Sequence, residues 1–281
     1  MRALKISAIS FLNTVPLMWD FEHEPSQELR ENFEIGYTVP SLCAQALREG
    51  AADIGIIPVI TTAQIPGLVV VPDVAIASLN KVWSIQLLSK KPIEEIRTVA
   101  VDTSSRTSVG LTQVLLTKFF GGHRELTPMP PVLGPMLEQC DAGLLIGDPA
   151  MVAKTDGLYA YDLAEVWRAK TGLPFVFAVW TVRKAALAEM RTGLDLGGIF
   201  SRSRDRGLIP EIVENIAKEW SRRMGLSENA IQRYIQENIH YTLDPECKKG
   251  LALYFKLAAE CGVIDRAPEL EFLDTTNIGR Q

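Results

Sequence analysis

Short runs of almost wholly apolar residues, each followed by a helical pattern, set the strongest limit on this fold. Asp53–Val59 reads DIGIIPV and Gly143–Ile146 reads GLLI, with no polar alternation in either. Such a strand must be covered on both faces, which points to a parallel sheet flanked by helices. Further strands are expected at Leu4–Ile9, Phe33–Val39, Leu68–Ala77, Ser84–Ser89, Thr98–Asp102, Leu126–Met129, Leu158–Leu163 and Phe175–Val182. Between them, Ser41 is a candidate N-cap for a helix through Leu42, Ala46 and Leu47 that stops at Gly50. Helices are also expected at Thr107–Phe120, where Leu111, Leu115 and Phe119 recur on one face, and at Val132–Cys140. Beyond residue 183 the pattern turns helical, at Ile212–Met224, Glu228–Glu237 and Pro245–Cys261. Repeated strand–helix units of this kind define an α/β class with mainly parallel sheets and right-handed crossovers.

A chain of 281 residues suits two lobes. No linker or low-complexity stretch separates them. Instead, strand-like sequence at 78–89 and again at 175–183 carries the chain across twice. The expected division is residues 1–82 plus 181–281 for the first lobe, with the C-terminal helices, and 83–180 for the second. Ligands of open α/β sheets bind beyond the carboxyl ends of the strands, so two facing lobes would share one cleft.

The net charge of −5 excludes a global attraction to nucleic acid or anionic membranes, so any anion must meet a local site. The N-terminal apolar stretch is too short and interrupted for a secretory signal, and no run of about 18 apolar residues could span a bilayer. Cys43, Cys140, Cys247 and Cys261 lack zinc or redox spacing, and reduced thiols fit a cytoplasmic protein. The histidines, His23, His123 and His240, lie outside the segments singled out below. No metal-ligand cluster, nucleophile elbow or phosphate-loop motif is present, so the chemistries that need them are poorly supported.

Four segments could carry chemistry. In Val101–Val109, VDTSSRTSV, a strand gives way to hydroxyl residues and then to a helix start. Free backbone N–H groups and the positive helix end favour an anion there. Ser104, Ser105, Thr107 and Ser108 add hydroxyls, and Arg106 could grip a carboxylate through two hydrogen bonds. An ordinary capped helix with an exposed Arg is the alternative. Ser10–Pro16, SFLNTVP, follows the first strand and offers Ser10 and Asn13, either as ligand contacts or as helix caps. Ile146–Met151, IGDPAM, could place Gly147 N–H or Asp148 in the cleft. Asp148 is a candidate base, though a capping role is favoured. Thr171–Trp180, TGLPFVFAVW, is either a dry wall for a planar ligand or plain core.

SFLNTVP, DIGIIPV, SSRTSVGL, LIGDPAM and DLAEVW…TGLPFVFAVW, in that order and spacing, closely resemble the chorismate dehydratases of the futalosine route to menaquinone. The resemblance runs from residue 4 to about residue 183 and less distinctly beyond. It implies a two-lobed type II periplasmic-binding-protein-like fold in a cytoplasmic enzyme. It also implies a lyase without cofactor, converting chorismate to 3-[(1-carboxyvinyl)oxy]benzoate. By the same resemblance Ser84 faces the ligand at the first crossing. Catalytic roles then fall to Asn13, Ser84 and Asp148, and binding to Ser10, Asn13, Ser84, Ser105, Arg106, Thr107, Ser108 and Gly147. A homodimer is compatible with this reading. The rival readings are a non-catalytic receptor for a small carboxylate and the sister dihydroxynaphthoate synthase of the same pathway. The latter is expected to use a cleft histidine.

Overall fold

The computed structural model of the protein describes residues 2–189 and 194–274. Its strands are β1 (Leu4–Ile9), β2 (Phe33–Thr38), β3 (Ile54–Pro58), β4 (Leu68–Ser78), β5 (Ile85–Ser89), β6 (Thr98–Asp102), β7 (Glu125–Met129), β8 (Ala142–Ile146), β9 (Tyr159–Asp162) and β10 (Phe175–Arg183). They form two five-stranded sheets of order β2-β1-β3-β10-β4 and β7-β6-β8-β5-β9. β3 and β8 are buried along their whole length, as their apolar runs require, and so is β5 despite its Gln86 and Ser89.

Within each sheet all strands but one run the same way. β10 is antiparallel to both β3 and β4, and β5 is antiparallel to both β8 and β9. These two strands follow the crossings between lobes. A chain that enters its sheet from the other lobe, rather than through a crossover between two strands of the same sheet, is free to run in the reverse direction. β10 belongs to the first sheet from Phe175, which pairs with Ser78, so the chain re-enters this lobe ahead of residue 181.

Local signals mostly act as expected. The helix after β2 ends at Gly50, whose φ of 73° lets its N–H close on Ala46 and Leu47. Its start differs: the helix is Pro40–Glu49, capped by Val39 without a side-chain bond, so Ser41 lies inside it. Pro40 sets the first turn because its fixed φ suits that position and no N–H is lost. The segment expected as a helix to Glu237 is a helix over Glu228–Arg233 that widens into a π-turn at Tyr234–Asn238.

The C-terminal region first returns to the first sheet, where Ala77 N–H donates to His240 O at 2.9 Å. The helix Pro245–Glu260 then lies across both lobes. Tyr254 packs edge-on against Phe175 and Trp167 and donates its hydroxyl to Thr107 O at 3.0 Å. Gly250 permits this, since a Cβ there would stand 2.1 Å from Pro174 O.

Candidate functional site

The parallel strands of both sheets aim their carboxyl ends at one interlobe cavity, with about 480 Å³ of space free of protein atoms. The first lobe contributes Ile9, Phe11, Asn13 and Pro58, and β10 adds Phe177 and Ala178. The crossing supplies Ser84 and Ile85, and the second lobe supplies Ser105–Ser108 and Gly147. Most of the expected site residues therefore meet in one cavity, Ser10, Ser104 and Asp148 being the exceptions. Phe177 and Ala178 make the TGLPFVFAVW segment an apolar wall.

One end of the cavity is a polar cluster. Asn13 Oδ1 is buried with no hydrogen-bond partner among the described residues. Ser84 is buried, and its Oγ accepts from the Tyr234 hydroxyl at 2.8 Å. The Asn13 side-chain amide also faces the Tyr234 oxygen. Burial pushes the Tyr234 phenol well above its usual range, so it stays a neutral donor. Sequence reasoning missed Tyr234, which lies in the π-turn, remote from every motif. The available signal was a tyrosine next to Ile235 on a buried helix face, whose hydroxyl needs a partner.

The strand-to-strand crossing holds Ser84 under local strain. Trp83 has φ 61°, a left-handed conformation that a bulky residue rarely adopts. The buried Asp162 carboxylate fixes this turn. It accepts from Val82 N at 3.1 Å, Trp83 N at 2.5 Å and Gln86 Nε2 at 3.1 Å, and also caps the helix Leu163–Thr171. Burial raises the Asp162 pKa, against the pull of these backbone donors. Gly147 N–H closes the arrangement by donating to Ser84 O at 2.7 Å.

The opposite end is the start of the helix Thr107–Phe119. Its first turn carries no acidic residue and no side-chain cap, so the positive end of the helix dipole is not offset by the helix's own side chains, while Ser105 N–H is already bonded to Asp102 O at 3.0 Å. Arg106 is exposed, lines the cavity and makes no ion pair among the described residues. Ser105 and Ser108 are buried in the wall. Thr107 has a structural part as well, its Oγ1 accepting from Ile60 N at 3.3 Å across the lobes. Ser104 is used up by Asp102, to which its N–H and hydroxyl donate at 2.8 and 2.6 Å.

Gly147 has φ 62°, and a Cβ there would stand 2.8 Å from the Phe11 ring. Asp148, the next residue, lies outside the cavity wall and does not cap its own helix. Its Oδ1 instead accepts from Leu12 N at 3.1 Å, tying the second lobe to the first. Burial pushes this carboxyl up to about 6, with the Leu12 bond pulling the other way. Ser10 is exposed and lines a separate surface cavity with Trp19, His23 and Trp220. No histidine lines the interlobe cavity among the described residues. The fold does bring His240, Asp244 and Cys247 within 4.8 Å of one another, a grouping that spacing alone did not reveal. There Asp244 caps the C-terminal helix and pairs with His240 at 2.8 Å.

A family model described as menaquinone biosynthesis matches residues 4–260 of this chain. The chain belongs to that menaquinone biosynthesis family. A curated relative, the chorismate dehydratase of Thermus thermophilus, is 27% identical over 248 residues, which is 80% of this chain and 86% of that protein. Among solved structures, a protein of Archaeoglobus fulgidus superposes with a TM-score of 0.74 at 16% identity, covering 94% of this chain and 99% of its own. The periplasmic aliphatic sulphonate binding protein of Escherichia coli gives 0.65 at 16%, covering 100% and 96%. At these identities the structural likeness concerns the fold alone, which is periplasmic-binding-protein-like. No helix among its described residues is long and apolar enough to cross a membrane.

Proposed function

We propose that this family member is a lyase that dehydrates chorismate to 3-[(1-carboxyvinyl)oxy]benzoate in the interlobe cavity. The observation that carries the reading is the buried, unpartnered Asn13 Oδ1 inside a cavity whose far end is an anion-ready helix start. An orphan acceptor of this kind is costly unless a ligand brings a donor. Chorismate brings a ring hydroxyl for Asn13 and carboxylates for Arg106 and the Ser105–Ser108 turn. The name of the Thermus thermophilus relative supports the same substrate.

In the proposed step the C3–H bond breaks and its electron pair enters the ring. The C4–O bond breaks, the hydroxyl leaves with that proton as water, and the ring becomes aromatic. The elimination is redox-neutral, and aromatisation drives it. The residues therefore have to fix the carboxylate at one end and orient the leaving hydroxyl at the other. Asn13 and Ser84 take the second task. Asp148 stands outside the wall with one oxygen engaged by Leu12, which favours a substrate carboxylate as the proton acceptor.

Purified protein mixed with chorismate should bleach the diene absorbance and yield a product lighter by one water. Tight binding of chorismate without product would replace this reading with that of a receptor.

A further inference from the structure

We infer that Tyr234 is a positioning residue for the ligand's hydroxyl group, acting through Ser84; this deepens the reading of the cavity as a chorismate site. Nothing in the local sequence marks Tyr234, yet it stands at the back of the polar end of the cavity. It is fully buried, and its hydroxyl bonds Ser84 and lies beside Asn13, the two polar residues that line that end.

The placement of these hydrogen-bonding groups carries the inference. The Tyr234 hydroxyl donates to Ser84 Oγ at 2.8 Å. The two hydroxyls spend one proton on this bond, and when Tyr234 donates it the Ser84 proton has no other acceptor among the described residues. That proton is left to point into the cavity that Ser84 lines. On the other side, the Asn13 amide faces the Tyr234 oxygen, which leaves Asn13 Oδ1 as the buried atom without a donor. The chain Asn13–Tyr234–Ser84 thus ends in one free acceptor and one free donor at the same wall. A ligand hydroxyl is both donor and acceptor, so it would close the chain into a ring by donating to Asn13 Oδ1 and accepting from Ser84. A leaving hydroxyl must gain hydrogen bonds as the C–O bond breaks. Tyr234 orients Ser84 to supply one. Without the tyrosine hydroxyl, Ser84 could turn its proton elsewhere.

The backbone supports the assignment. Tyr234 opens the π-turn Tyr234–Asn238, and such local widenings of a helix gather at functional sites. The turn also meets the strained crossing, where Asn238 Nδ2 donates to Lys81 O at 2.9 Å and Trp83 packs edge-on against the Tyr234 ring. Tyr234 and Ser84 are therefore held against each other from two elements far apart in sequence.

The test is a double-mutant cycle on chorismate turnover. Tyr234→Phe should lower kcat by about tenfold with KM changed less than about threefold. Ser84→Ala should lower kcat at least as far. If Tyr234 acts through Ser84, the double variant should be no slower than Ser84→Ala alone. Tyr234→para-aminophenylalanine keeps a donor and the ring shape, and should retain kcat within about threefold. It also serves should Tyr234→Phe fail to fold. Unchanged kcat in Tyr234→Phe, losses that multiply in the double variant, or failure of the donor-keeping variant to hold kcat would overturn the inference. Wild-type protein that turns chorismate over separates such an outcome from failure of the lyase reading. If the wild type binds chorismate without turnover, the dissociation constant replaces kcat in the same cycle.

Discussion

Gly147 and Asp148 are neighbours that serve the lobe contact in opposite ways, one by lacking a side chain and one by supplying it. Gly147 combines φ 62° with a Cβ position 2.8 Å from the Phe11 ring, so Gly147→Ala adds backbone strain and a clash at once. The expected loss is about 1–3 kcal/mol in urea unfolding, with turnover reduced because Phe11 lines the cavity. Asp148 gives a pH dependence. Its folded pKa of about 6 lies above the ordinary 3.8, so between those values the folded protein keeps a proton the unfolded chain has released. The stability linked to this group is fully present below about pH 3.8 and is lost as pH rises through about 6, amounting to at most about 3 kcal/mol. Asp148→Asn retains an acceptor for Leu12 N–H without the buried charge. It should be more stable than wild type in urea unfolding at pH 7.5, with the difference shrinking toward pH 4. It should also keep most of its turnover; a large loss with the fold intact would make Asp148 the base.

Among the elements, the helix Thr107–Phe119 decides what the cavity prefers to hold. Arg106→Ala should raise KM for chorismate about 10- to 100-fold, as expected for loss of a charge-assisted pair worth about 1.5–3 kcal/mol. Arg106→Lys should recover only part of this, because an ammonium lacks the planar fork. Unchanged KM in Arg106→Ala would remove the guanidinium from substrate binding. This helix was legible in the sequence because a buried strand runs into it through hydroxyl residues with no acid in the first turn. The same logic of strand ends located Asn13, Gly147 and, with the family resemblance, Ser84. It failed where a residue's place depends on remote structure. Ser10 still pairs with β2 through Thr38 O at 3.3 Å, so it stays on the outer rim, short of the turn that carries Asn13. Tyr234 reaches the cavity only because the C-terminal segment folds back and widens into a π-turn, which no short-range pattern encodes. The left-handed Trp83 was equally hidden, since its conformation is imposed by Asp162, close in space on β9 but 79 residues away in the chain.

At the scale of the whole molecule, one hydrophobic core runs through both lobes, and a few polar ties between them are placed around the cavity. Leu12 N–H reaches Asp148, Ile60 N–H reaches Thr107, and Tyr254 fastens the C-terminal helix to Thr107 O. The strands at the two crossings are the continuous connections. In this geometry a ligand that contacts both lobes adds its own ties between them, so it should stabilise the joined form in proportion to its occupancy. At about one hundred times its dissociation constant the gain is about 2.7 kcal/mol, which for a chain of this size raises Tm by about 5–8 °C. The rise should be followed by scanning calorimetry at several chorismate concentrations, with the aromatic product as a second ligand. Arg106→Ala should show a smaller rise than wild type at equal ligand concentration, because one lobe's grip is gone. A full-sized rise in that variant would mean that the ligand is held by the first lobe alone, and the helix start would lose its place as the anion-binding end of the cavity.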